Sequence, residues 1–429
     1  MPTSITSAME SLPDALLVGE FPYPTGSPAS NILQGHSIAI QKAGATVGVV
    51  SLLPAGVCDS EPILFRGAKC WTIQSQKNAL TFKNAILRRL AIRDERIAWL
   101  RARKLAGVKA IFVYPSMVSG SFIFQLRRLC RANNVRLYAY VVEWHSLRHY
   151  PAGPVSFQAV DGEFQRRFLN PMLDGTICIT EHLKEYYAKR GCNASVLPPL
   201  LDLSDPKWSM SPVAEDNHVS PELRLLFSGA ARRDRHDVIL RAAHYVRSRG
   251  ISMVVEYLGS TREVIAALPG VGEHLLAKLG NGVLFHDCVP DAEVTRITSS
   301  ASFGILLREH ANWSSCCFPS KVPEFLACRV PVMCNLTGDL EKYLKDGYNA
   351  ILIDGISFSS VCASFERAAR LSAEKLADMK LAARKTAEQF DCSRFASVYQ
   401  ELIFGGRESR RNERQRLRHC GSGVLSSDI

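Results

Sequence analysis

The stretch FGILLREHANWSSCCFPSKVPEFLACRVPVMCN, residues 303–335, constrains the fold most. It opens with an apolar run that reads as a buried strand, passes through a polar loop, starts a helix near Ser320 and returns to an apolar run from Val330 to Cys334. That order is strand, loop, helix, strand. Ser320 has the chemistry of a helix cap, and Pro323 suits the first turn, where its missing N–H would have no partner. Lys321 and Glu324, three apart, fall on one helix face. Free amides and the positive helix end at Ser320 and Lys321 suit an anion, with a carboxylate one turn further in to accept hydroxyl protons from a sugar.

The rest of the chain repeats this alternation. Ala15 to Val18 reads as a strand, FPYPTGSPASN as a loop, Ile32 to Ala43 as a helix ended by Gly44, and Val47 to Leu53 as the next strand. Gly26 sits in that first loop, at the carboxyl end of a strand, where open α/β sheets place ligands. Further strands are read at Ala110 to Tyr114, Leu137 to Val142, Asp174 to Thr180 and Val196 to Asp202, with a helix from Glu181 to Lys189. The strand at Leu137 runs into Glu143-Trp144-His145, a carboxylate and an imidazole at a strand tip.

A Ser-, Pro- and Asp-rich stretch at 203–221 reads as a linker. Beyond it come a strand at Leu223 to Ser228, a Gly229 turn bearing Arg232 and Arg233, and a helix from about Asp237 to Arg249. Two arginines beside a glycine turn can clamp a diphosphate bidentately, which one lysine cannot. A salt bridge to Asp234 or Asp237 is the alternative use for them. Strands at Met253 to Leu258 and Val283 to His286 and a helix at Ala292 to Ser299 follow, and the pattern from Ser359 to Phe404 is largely helical. The domains expected are therefore a lead at 1–13, a first domain at 14–202, the linker, a second domain at 222–390, a crossing helix at 391–405 and a basic tail at 406–429.

With 429 residues, 47% of them hydrophobic, the chain can bury two full cores. Lys and Arg exceed Asp and Glu by 52 − 41 = 11. Such charge attracts nucleic acid, anionic lipid or phosphorylated substrates without choosing among them. Residues 84–106 read as a helix with arginines at 88, 89, 93, 96, 101 and 103 beside an Ile86, Leu90, Ile97, Leu100 stripe; it is an outer helix of an α/β layer or a helix lying on anionic lipid. Arg127, Arg128, Arg131 and Arg136 form a second basic cluster. The thirteen cysteines include no C-x-x-C pair and several lie in apolar runs, which fits reduced, buried thiols of a cytoplasmic protein. No apolar run reaches the ~18 residues that span a bilayer, and the first residues lack the features of a signal peptide.

FPSKVPEFLA followed by a PV strand resembles the donor site of glycosyltransferase family 4, retaining enzymes of the GT-B fold that use nucleotide sugars. The resemblance implies an α/β protein with two Rossmann-like domains facing a cleft and the donor held mainly by the second. It places Lys321, Arg232 and Arg233 on the donor diphosphate, Glu324 on the ribose, and Gly229, Phe318, Pro319 and Ser320 in the same donor site. Gly26 would lie against the donor phosphates, with Ser27-Pro28 departing from the family's second glycine. His145, or Glu143 in its place, would lie close to the transferred sugar. The family pattern is Glu, seven residues, Glu, and Cys316 stands at the first position.

The implied activity is transfer of a hexose or related sugar, with retention, to a glycan or lipid-linked acceptor in cell-surface polysaccharide synthesis. It needs no cofactor or metal beyond the donor substrate. The implied location is the cytoplasm, with peripheral contact to the inner face of an anionic membrane as a further partner. A nucleotide-sugar epimerase of the same fold and a non-catalytic glycosyltransferase subunit are the rival readings; products made without an acceptor, or donor binding without turnover, would mark them. Nucleic acid is set aside, because the arginines are not interleaved with a known reader motif.

Overall fold

The computed structural model describes residues 11–24, 28–53, 61–74, 95–115, 118–144, 153, 156–209, 222–286 and 289–405. The chain forms two compact units, residues 1–200 with 392–429, and residues 201–391.

The first unit is built on eight strands: β1 Ala15–Gly19, β2 Val47–Leu53, β3 Ile63–Phe65, β4 Ala68–Gln74, β5 Ala110–Val113, β6 Arg136–Val141, β7 Gly175–Cys178 and β8 Ala194–Val196. Their order is β3-β4-β2-β1-β5-β6-β7-β8, and only the β3–β4 pair is antiparallel. All five residues of β1 are buried, as expected of a strand covered on both faces. Its Leu17 lies in register between Val49 and Phe112. The β3–β4 hairpin has no counterpart in the sequence reading; it turns on Arg66 and Gly67, both at positive φ.

The second unit holds β9 Leu223–Ser228, β10 Met253–Leu258, β11 Val283–His286, β12 Phe303–Leu306, β13 Val332–Cys334 and β14 Ala350–Leu352. They form one parallel sheet in the order β11-β10-β9-β12-β13-β14. Each sheet grows to one side of its first strand and then restarts on the other, at β1/β5 and at β9/β12. Loops leaving the carboxyl ends of such a strand pair diverge and open a crevice, the place where sheets of this type bind ligands.

The last helix, Ala396–Phe404, packs on the first unit. Tyr399, fully buried, has its hydroxyl 2.5 Å from His36 Nδ1 and hydrogen-bonded to the Tyr140 hydroxyl. Tyr138 Oη and Arg136 Nη1 donate to the Leu402 carbonyl at 2.9 and 2.8 Å, satisfying an oxygen that the helix end leaves unpaired. In the Pro28–Lys42 helix, a Cβ on Gly35 would stand 2.1 Å from the Leu200 carbonyl oxygen, so only glycine permits that backbone approach.

Several expectations are corrected. Residues 11–13 are not a loose lead, because Leu12 and Pro13 are buried. The basic helix is observed over Glu95–Ala102 and stops before Lys104 and Leu105, which take positive φ; residues 75–94 lie outside the described residues. Arg96 is buried, ion-paired with Glu20 and stacked over Phe122, so it faces the protein and no membrane. The strand read from Val196 to Asp202 is confined to β8, since Pro198-Pro199 cannot supply ladder N–H groups. Residues 203–209 belong to the second unit: Leu201 N–H donates to the Phe390 carbonyl at 2.9 Å and Leu203 N–H to Asp391 Oδ2 at 3.2 Å. The basic tail at 406–429 lies outside the described residues.

Candidate functional site

The crevice of the second sheet is lined by the loops that follow β9 and β12. Gly229 ends β9 with φ at +108°, its N–H donating to the Leu258 carbonyl at 2.9 Å and its carbonyl accepting from Ser260 Oγ at 2.8 Å. Few side chains tolerate that φ. Ala231–Arg233 form a short turn with Arg232 exposed and Arg233 partly buried, its Nη1 3.9 Å from Cys317 Sγ. Asp234, side chain buried, accepts from Leu307 N–H at 3.1 Å and lies 3.4 Å from Arg308 Nε, while Arg235 N–H donates to the Leu307 carbonyl at 2.8 Å. The two loops are thus laced backbone to backbone.

A third strand end completes the frame. Asn335, just past β13 and buried, accepts from Arg308 N–H at 2.9 Å and donates Nδ2–H to the Arg308 carbonyl at 2.8 Å. From there the chain passes through a single turn at Asn312–Ser315 to Phe318, buried edge-on against Tyr343 and Phe390 at 5.6 and 5.8 Å between centroids. Pro319 is also buried. Gly338, at φ +59°, underlies this loop, and a Cβ there would stand 2.7 Å from the Cys317 carbonyl oxygen.

The Lys321–Ala327 helix then brings Lys321 to Gly229: a Cβ on Gly229 would be 3.8 Å from Lys321 Cε. Lys321 Nζ pairs with Glu324 Oε2 at 2.7 Å, as the three-residue spacing foretold. Both side chains are partly exposed. Ser320 does not act as the expected cap; it has helical φ and ψ and its side chain makes no capping bond. The cations at this corner are Lys321 and the arginines of the Ala231–Arg233 turn, and Gly229 leaves the backbone between them uncovered.

Cys316 is fully buried. In the first unit, Glu143 lies two residues past β6 and is partly buried; Gly26 and His145 lie outside the described residues. The loop after β1 is held as far as Pro24, whose carbonyl accepts from Gln34 Nε2 at 2.6 Å, while Ser30 Oγ donates to the Pro22 carbonyl at 2.7 Å.

No protein-family model and no curated protein sequence matches the chain. Solved structures do. Sucrose-phosphate synthase from Thermosynechococcus elongatus superposes with a TM-score of 0.69 at 15% identity, over 91% of this chain and 99% of that one. The UDP-forming α,α-trehalose-phosphate synthase of Burkholderia xenovorans, bound to glucose-6-phosphate, gives 0.64 at 10% identity over 91% and 99%. Anabaena HepE in complex with UDP and glucose gives 0.62 at 12% identity over 91% and 99%. This is the GT-B fold.

Within the GT-B frame, the second unit joins Gly229, Arg233, Lys321 and Glu324, with Arg232 on the adjoining turn and Phe318 and Pro319 as buried supports. Asp237 takes Arg235 at 2.8 Å and Arg241 at 3.3 Å, and Asp234 serves the Leu307–Arg308 backbone. Sequence reading missed Asn335 and Ser260, which hold the loops, and took Asp234 only as a salt-bridge partner of the arginines. An Asn immediately after an apolar strand was the available signal.

Proposed function

We propose that the protein is a retaining glycosyltransferase, of the hexosyltransferase type, that moves a sugar from a nucleoside-diphosphate donor to a glycan or lipid-linked acceptor. The observation that carries this reading is the contact of Lys321 with the Gly229 turn, which sets a cation and an unobstructed backbone at one strand switch, next to Arg232 and Arg233. The GT-B neighbours, whose descriptions name UDP, glucose and UDP-forming synthases, support a donor of that chemistry.

In the proposed reaction the bond from the sugar's anomeric carbon to the phosphate oxygen breaks, and its electron pair leaves with the diphosphate. A hydroxyl oxygen of the acceptor forms the new bond, and its proton passes to the departing diphosphate. Negative charge grows on the leaving group, so the fixed cations Lys321, Arg232 and Arg233 lower the barrier. Glu324, freed from Lys321 when the diphosphate takes the lysine, accepts hydrogen bonds from the ribose hydroxyls. Glu143 or His145 of the first unit contacts the reacting sugar. Cell-surface polysaccharide is the proposed destination, and the cytoplasm the proposed location.

Incubation of the protein with a panel of nucleotide sugars and an acceptor extract tests the reading. The reading predicts nucleoside diphosphate release that depends on the extract, with the sugar recovered on an acceptor. Recovery of free sugar altered at one centre without any acceptor would replace it with the epimerase reading.

A further inference from the structure

The segment from Cys317 to Lys321 meets the β9 turn at both of its ends. Lys321 Cε lies 3.8 Å from where a Cβ on Gly229 would stand, and four residues earlier the Cys317 sulfur accepts Arg233 Nη1–H at 3.9 Å. The loop that carries the lysine therefore also holds an arginine of the facing turn. Cys317 is itself firmly placed. It is 3% exposed and stands between Cys316 and Phe318, both buried. Cys316 N–H donates to the Asn312 carbonyl at 3.0 Å, closing the turn ahead of it. The Cys317 carbonyl lies over Gly338, where a Cβ would stand 2.7 Å away, so only glycine leaves it room. Backbone and neighbours fix where the Cα–Cβ bond points, and one rotor, χ1, places the sulfur.

The chemistry of that contact differs from its surroundings. Neighbouring arginines are met by carboxylates: Arg235 lies 2.8 Å from Asp237 and 3.4 Å from Glu309, Arg241 lies 3.3 Å from Asp237, and Arg308 Nε lies 3.4 Å from Asp234. A carboxylate in the place of Cys317 would neutralise the Arg233 guanidinium and compete with an incoming diphosphate. A thiol is a weak, uncharged acceptor, so it orients Nη1 and leaves the positive charge in place. Arginine is long and rotamer-rich, and a guanidinium already oriented loses less freedom when it grips a phosphate.

We propose that Cys317 is a positioning residue for the donor diphosphate: its sulfur holds the Arg233 guanidinium in the orientation in which it meets the phosphates, and itself touches no substrate atom. The inference rests on the donor-site reading and deepens it, because it makes Arg233, and not the exposed Arg232, the arginine of the turn that is preset for the ligand.

Calorimetric titration of the full chain with UDP, ADP and GDP tests it, on the unaltered protein and on C317A, C317S, R233A and C317A/R233A, each first shown to melt as a folded protein. For the nucleotide that binds, C317A should weaken binding about three- to tenfold, the worth of one modest hydrogen bond. C317S, whose hydroxyl still accepts, should recover most of that loss. In the R233A background C317A should change little further, because the group it positions is gone. C317V fills the same space without an acceptor and repeats the test should C317A melt early. Binding by C317A or C317V equal to that of the unaltered protein, a C317S protein no better than C317A, or the same fold loss with and without Arg233 overturns the proposal and leaves the donor reading standing. If the unaltered chain binds none of the three nucleotides, the donor reading fails and this inference falls with it.

Discussion

Gly229 follows β9 and Lys321 opens the Lys321–Ala327 helix beyond β12, yet a Cβ on the glycine would lie 3.8 Å from the lysine Cε. The backbone at Gly229 holds φ at +108°, fixed by hydrogen bonds to Leu258 and Ser260. A substitution there meets a strained backbone, while its Cβ would stand at ordinary contact distance from the lysine.

Gly229→Val is therefore expected to destabilise the protein by about 1–3 kcal/mol, the usual range for a residue forced into a disfavoured backbone region. Chemical denaturation measures it. Gly229→Ala should cost less but still weaken nucleotide binding, and a Gly229→Val protein of unchanged stability would show that the turn is not held as described.

Cys316 invites a different experiment. A carboxylate introduced at this fully buried position must lose its hydration, so Cys316→Glu should lower stability by an amount on the order of 3 kcal/mol. Cys316→Ser should cost less. Melting temperatures compare them, and an unshifted Cys316→Glu protein would mean that the side chain at 316 reaches solvent.

The first unit should also lose stability in mild acid. Burial lowers the pKa of His36 to about 3, well under its ordinary value near 6.5. The folded protein keeps the imidazole neutral while the unfolded chain binds the proton, so the contribution is complete above pH ~6.5 and is lost as pH falls towards 3. By pH 5 this single group removes about 2 kcal/mol. Unfolding free energies at pH 7 and pH 5 should differ less in His36→Gln than in the unaltered chain; an identical pH dependence would contradict the assignment.

Much of this was legible before the fold was seen, because buried parallel strands declare themselves as short apolar runs. β2, β9, β10 and β11 were read at the bounds observed. The Lys321–Glu324 pair followed from spacing alone. Legibility failed where tertiary contact overrides local chemistry. Ser320 has a capping side chain, but the buried Phe318 and Pro319 deliver the chain to the helix already in helical geometry, and no cap forms. Arg96 looked like part of a charged surface and is instead buried against Glu20 and Phe122. Asn335 escaped notice because its partner, Arg308, is distant in sequence and meets it only when β12 and β13 pair.

The central claim is that the Gly229 turn, its arginines and Lys321 form a cradle for a diphosphate. Melting of the full chain with UDP, ADP and GDP, repeated with Lys321→Ala, tests it most directly. A ligand at a hundred times its Kd adds about 2.7 kcal/mol to the folded state. One of the three nucleotides should raise the melting temperature by several degrees, and Lys321→Ala, folded and melting normally without ligand, should lose that rise. Equal shifts in both proteins, or no shift with any nucleoside diphosphate, would contradict the account.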